Sequence, residues 1–232
     1  MGKRTELREK RSKQRQQRIL VTMGIVVGAA LIVVALMILP TLRPIGTIVI
    51  PETVVRPNPS GTSMGDPNAP VKIEEYADYQ CFYCAKFTAE TEPSLIREYV
   101  ATGKVLFTYR NFAFMGPTSI YAAEASMCAA DQGKYWEYRE ILYANQNESD
   151  SSAYSDARLK AFAEAIGLDT DAFNTCFDDR SHRETVQADY SAGVEAGVES
   201  TPSFLINGQL LVGAQPIEVF RTAIDGELAR AP

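Results

Sequence analysis

Between Val71 and Lys86 the chain reads VKIEEYADYQCFYCAK, an alternating run that gives way to two cysteines three positions apart. Val71, Ile73, Glu75 and Ala77 fall on one face at a period of two, which predicts a strand with that face buried. A helix is predicted to follow through the cysteines towards Tyr99, broken or kinked at Pro93. At i and i+3, Cys81 and Cys84 then lie one turn apart on the same side of that helix. A Cys-x-x-Cys pair at a strand end can be half of a zinc site, a disulfide redox couple, or an accident of composition. The rest of the chain decides between them.

The segment VLFTYRNF from Val105 is apolar on both faces, as a central strand is. Residues 118–198 read as helical. Leu159, Phe162, Ala163 and Ile166 form a stripe at helical spacing, and Phe173, Cys176 and Phe177 start another behind Thr170. Ser181 with Glu184 fits a capping box for the next helix. FLI-NG-QLLV then places two apolar runs across Asn207-Gly208, a hairpin signal. Ile217, Phe220, Ile224 and Leu228 give a closing amphipathic helix. A βαβ unit, a helical insertion, a hairpin and a final helix make an α/β domain over residues 62–232, with the insertion at about 118–198.

The N-terminal part is of another kind. Residues 1–18 carry eight Lys or Arg against two Glu, while the remainder carries 15 against 27 Asp or Glu. An acidic domain behind a basic tail argues against nucleic acid as partner, since phosphate binding needs cations on the folded surface. Residues 19–39 contain no charge. As a helix they would span about 30 Å, the thickness of a bilayer's hydrocarbon core. The basic flank predicts a cytoplasmic N-terminus and an exported remainder. A cleaved signal peptide is the competing reading, but no small-x-small site follows the apolar run. Residues 40–61 hold five prolines and no apolar periodicity, the composition of a semi-rigid spacer. All four cysteines fall on the exported side, where an even count suggests two disulfides with three possible pairings.

The stretches GDPNAPVKIEEYADYQCFYC, AAEASMCAADQGKYWEYREILYANQ and GVESTPSFLINGQLLVGAQP resemble the DsbA-like thiol-disulfide oxidoreductases. Those proteins have a thioredoxin fold with an inserted helical domain, and the likeness is to their membrane-anchored, Gram-positive-type branch. The resemblance implies that Cys81 and Cys84 are the redox pair. It implies that Thr201-Pro202 is the loop whose cis-proline packs beside the active-site disulfide, and that Glu75 is the family's buried acid. It further implies exported protein thiols as substrates and a quinone-linked membrane partner, DsbB-like or vitamin K epoxide reductase-like, to reoxidise the pair. No cofactor is implied. Phe82 and Tyr83 stand between the cysteines instead of Pro-His or Gly-Pro, and the missing histidine leaves the strength of oxidation open.

The residues support these roles independently. A cysteine at a helix N-terminus meets free backbone N–H groups and the positive end of the dipole, which favour the thiolate. Cys84, a turn further in, is the expected resolving thiol. Glu75 on the buried face is expected to have a raised pKa and to relay a proton to or from Cys84, unless it is an edge glutamate reaching water. With the redox pair so assigned, pairing arithmetic favours a structural disulfide between Cys128 and Cys176. A metal site on Cys81 and Cys84 lacks ligands, because Cys128, Cys176 and the sole histidine, His182, all lie in the insertion. Phe82 and Tyr83 are candidates for a substrate groove, whereas core packing is expected of Tyr135, Trp136 and Tyr138. A reductase or isomerase, and a peptide-holding module without turnover, are the competing functions.

Overall fold

Five strands form one mixed sheet in the order β1-β3-β2-β4-β5 in the computed structural model, which describes residues 2, 18, 20–34, 45–52, 54–147 and 152–230. The chain divides into two compact units, Met1–Gly46 and Thr47–Pro232. In the first, residues 20–34 are helical (α1). Most of the basic tail, the two ends of the expected membrane span (19 and 35–39) and residues 40–44 of the spacer lie outside the described residues. Among the described residues no helix is long and apolar enough to cross a membrane.

The second unit contains the sheet and eight helices, counted over the described residues. In order these are β1 (Ser63–Gly65), β2 (Val71–Ala77), α2 (Phe82–Glu90), α3 (Glu92–Leu95), β3 (Val105–Asn111), α4 (Pro117–Ala130), α5 (Tyr135–Ala144), α6 (Asp156–Ala165), α7 (Thr170–Asp178), α8 (Arg183–Glu195), β4 (Ser203–Ile206), β5 (Gln209–Val212) and α9 (Ile217–Leu228). β2 and β3 run parallel, and the β1–β3, β2–β4 and β4–β5 pairs are antiparallel. The parallel pair needs a crossover, which α2, α3 and a π-helical turn over Ile96–Val100 supply. The helix break falls at Thr91, and Pro93 sits in the first turn of α3, where its missing N–H costs nothing.

Register puts Glu75 opposite both Tyr109 and Phe204, so one face of the sheet carries Ile73, Glu75, Phe107, Tyr109 and Phe204. Phe87 of α2 and Phe220 of α9 close on Phe204, with ring centroids 4.5 and 4.8 Å away. Trp136 of α5 meets Phe107 at 6.5 Å. The other face holds a smaller cluster of Tyr76, Phe112 and Val198, packed by Tyr190 of α8. There Gly193 matters: a Cβ at that position would lie 2.6 Å from the Phe112 ring and 2.8 Å from Tyr76.

Sequence expectations and structure part at several boundaries. The short strand β1 has no sequence period of its own, and it is held by pairing to β3. Asp169, which carried no sequence expectation, caps α7, accepting from the N–H groups of Asp171 and Ala172 at 3.0 Å each. Ser181 does not cap α8, because His182 occupies the N-cap without a side-chain cap bond. The Asn207-Gly208 turn does form, with φ of 47° and 83°, as a two-residue turn with both central residues left-handed requires. Residues 47–52 and 54–61, assigned by composition to a spacer, lie in the same compact unit as the sheet. Val49 N–H donates to Asn145 Oδ1 at 2.8 Å, and Arg56 reaches Glu92 at 2.5 Å. Proline content reports backbone stiffness, and side chains such as Arg56 decide whether a stiff segment docks.

Candidate active site

β2 ends at Ala77, and a three-residue turn delivers Cys81 to the N-cap of α2 with extended φ and ψ of −76° and 118°. Its N–H donates to Asp78 O at 3.0 Å, and Cys84 N–H returns to Cys81 O at 3.1 Å. Both cysteines are thiols in the structure. Cys81 is 7% exposed and Cys84 wholly buried. The two thiols are driven apart. Cys81 is lowered from 9.0 to about 6, chiefly by hydrogen bonding to Cys84 and, against an opposing burial effect, by the Thr201 side chain and the N–H groups of Cys84 and Tyr83. Cys84 is pushed well above its ordinary value by burial, then by the adjacent Cys81 and the charge of Glu75. One sulfur is thus set to be a thiolate and the other to keep its proton.

The Thr201-Pro202 bond is cis, and Thr201 O lies 3.3 Å from Cys81 Sγ. Pro202 O accepts from Gly213 N–H at 2.8 Å, which ties this loop to the end of β5. Phe82 and Tyr83 point outward, 51% and 60% exposed, edge to face at 5.5 Å. Tyr135, Trp136 and Tyr138 are buried core. Lys86 sits at the surface, 3.8 Å from Glu90.

Glu75 is completely buried. Burial raises its carboxyl from 4.5 to about 8; Arg139 opposes this and Glu92 adds to it. Arg139 Nη2 donates to Glu75 Oε2 at 3.2 Å, while Glu75 Oε1 has no hydrogen-bond partner among the described residues. Arg139 is itself fully buried, with its guanidinium carbon 5.1 to 5.4 Å from the ring centroids of Tyr109, Tyr143 and Trp136. Nothing in the local sequence of α5 marks an arginine as a core residue. Only its spacing of three or four residues from buried Trp136, Leu142 and Tyr143 hinted at burial.

Asp78 was also missed. Its buried carboxylate accepts from Gln80 N–H (2.8 Å), Ser119 Oγ (2.7 Å), Phe114 N–H (3.0 Å) and Met115 N–H (3.1 Å). That fixes the turn before Cys81 to the β3–α4 loop and holds Phe114 and Met115, both nearly half exposed, on the surface. A period-two reading stops at Ala77, so Asp78 carried no signal beyond being an acid in a turn.

In the insertion, Cys128 and Cys176 form a disulfide, with S–S 2.02 Å and a sequence separation of 48. His182 Nε2 lies 2.7 Å from Asp131 Oδ2. The Cys128, Cys176 and His182 ligand atoms fall within 4.8 Å of one another, but the two sulfurs are bonded to each other and do not offer thiolates to a metal.

A family model described as Thioredoxin, Thioredoxin_4, matches residues 57–226. The chain is 32% identical over 169 residues to the Na(+)/H(+) antiporter NhaA 3 of Salinispora tropica, a match covering 72% of this chain and 24% of that protein. The chain therefore spans about a quarter of the length of that relative. It is 29% identical over 173 residues to the probable disulfide bond formation protein D of Bacillus cereus, covering 72% of this chain and 79% of the other. The crystal structure of Wolbachia pipientis alpha-DsbA1 superposes with a TM-score of 0.66 at 26% identity, covering 76% of this chain and 95% of that one.

Proposed function

The chain belongs to the thioredoxin family, in its DsbA-like thiol-disulfide oxidoreductase branch, and from that premise we propose that it is a membrane-tethered dithiol oxidase of exported proteins. The observation that carries this reading is the split between the two thiols: Cys81 drawn down to about 6 at a helix N-cap, Cys84 buried and pushed up. A thiolate exists only in the reduced protein, so whatever stabilises it makes the Cys81–Cys84 disulfide the stronger oxidant.

In the cycle, a substrate thiolate attacks Cys81 Sγ, the Cys81–Cys84 bond breaks, and Cys84 leaves. Because its pKa is high, Cys84 takes up a proton, for which Glu75 is the buried source. Thr201 O, 3.3 Å from Cys81 Sγ, is placed to receive a backbone N–H of an extended substrate. The exposed rings of Phe82 and Tyr83 cover apolar substrate side chains. A second substrate thiolate then attacks the substrate sulfur of the mixed disulfide, and Cys81 departs as the low-pKa leaving group. Two electrons have passed from substrate to Cys81 and Cys84, and a quinone-linked membrane partner removes them.

Tethering rests on the uncharged run at 19–39 beside a basic flank. On this reading residues 1–18 are cytoplasmic and the domain lies outside, with the proline-rich stretch 40–61 leading into it. Cys128–Cys176 serves as a structural bond. Reduction or isomerisation runs the same exchange backwards and is the second reading. Catalytic formation of disulfides in a reduced, unfolded substrate protein tests the oxidase: the oxidised chain is expected to release substrate with new disulfides. Preferential reduction of insulin disulfides, with no thiol oxidation, would reverse the assignment.

A further inference from the structure

Five charged side chains form a sealed network behind the redox pair. Arg139 Nη2 reaches Glu75 at 3.2 Å and Glu92 at 2.5 Å, and its Nη1 lies 3.2 Å from Glu92 and 3.8 Å from Glu140. Arg56 Nη1 reaches Glu92 at 2.5 Å, Nη2 bonds Glu140, and the guanidinium carbon stands 5.4 Å from the Trp136 ring centroid. Arg139, Glu75 and Glu92 are at most 1% exposed at their side chains, Arg56 6% and Glu140 17%. Three carboxyl groups face two guanidiniums, so a single proton balances the set. Glu92 has three donors, whereas Glu75 has one and an empty Oε1. Glu75 is where the proton rests.

Arg56 does not belong to the sheet or to the insertion. It comes from the segment ahead of β1, yet the charge balance around the buried acid depends on it. We propose that Arg56 is a positioning residue for the redox site: by holding Glu92 and Glu140 it leaves Arg139 shared with Glu75, and so sets how tightly Glu75 holds its proton. This rests on Glu75 being the proton source proposed above. The groups facing Glu75 are Arg139 from α5, Glu92 from α3, Cys81 and Cys84 from the start of α2, Tyr109 from β3 and Tyr143 from α5. Of these only Arg139 is a cation, so its division between Glu75 and Glu92 is the decisive variable.

Without Arg56, Arg139 is drawn onto Glu92 and Glu140 and the pocket gains net negative charge. Both changes favour protonated Glu75. Without the Glu92 carboxylate, Arg139 turns to Glu75 and favours its ionisation.

The test follows the infrared carbonyl band of protonated Glu75 against pH in the reduced full chain, assigned by its loss in Glu75→Gln. Arg56→Met is expected to move the midpoint up by about one pH unit and Glu92→Gln to move it down by a similar amount, with Arg56→Lys closer to the parent. Opposite shifts are not produced by loosened packing, which admits water and moves both variants the same way. Midpoints that stay put, or move together, in Arg56→Met and Glu92→Gln overturn the proposal. If instead Glu75→Gln leaves the pH dependence of exchange unchanged, the proton-source reading fails separately.

Discussion

Removing the Thr201 hydroxyl is expected to weaken this protein as an oxidant by a calculable amount. Cys81 is lowered from 9.0 to about 6, and the Thr201 side chain is one of the groups holding it there. At pH 7 a thiol of that pKa is stabilised as thiolate by about 1.4 kcal/mol, which for a two-electron couple is about 30 mV of reduction potential. A hydrogen bond to a charged group contributes about 1.5 kcal/mol, so Thr201→Val is expected to raise the Cys81 pKa and to withdraw about 1 kcal/mol of that stabilisation at pH 7. About 0.4 kcal/mol of stabilisation then remains, and the potential falls by about 20 mV. The sign depends on pH. A depressed pKa stabilises the reduced form fully above the unperturbed value and loses that effect as pH falls through 6, so parent and variant converge at pH 5. Thiolate absorbance against pH gives the pKa, and equilibration with glutathione gives the potential. A Cys81 pKa unmoved in Thr201→Val would refute the hydrogen-bond argument. A raised pKa with an unchanged potential at pH 7 would refute the linkage.

Cys128→Ser with Cys176→Ser opens a loop of 48 residues, and by loop-closure entropy it is expected to cost about 4 kcal/mol in denaturant unfolding while Cys81 continues to form mixed disulfides. Gly193→Ala drives a methyl into Phe112 and Tyr76 and is expected to destabilise the domain by about 1–3 kcal/mol, read as a lower Tm. Glu75→Gln is expected to remove one ionisation, at about pH 8, from the pH profile of exchange.

Much of the site could be read from sequence because its parts are local. The strand period brings Glu75 to the buried face, the turn sets Cys81 at a helix N-cap, and the resemblance to the DsbA-like proteins marks Thr201-Pro202 as the loop opposite. What sequence could not show is how distant segments complete that geometry. Arg139 comes from the insertion and Arg56 from a proline-rich stretch, and each is buried only because carboxylates from α3 and α5 await it. Asp78 is similar: its four donors include two N–H groups from the loop after β3. At Phe82 and Tyr83 the side chain and the backbone act separately. Their side chains face solvent, while the backbone N–H of Tyr83 is what bears on Cys81, so a low thiol pKa arises without a histidine in the motif.

The most direct measurement is mass spectrometry of the disulfide adducts that accumulate on a Cys84→Ser variant presented with reduced, unfolded exported proteins after preoxidation by a small disulfide. Cys81 as the attacked sulfur and Cys84 as its buried partner require adducts joined through Cys81, with Cys128–Cys176 intact. Adducts joined through Cys128 or Cys176, or none at all, would contradict the account.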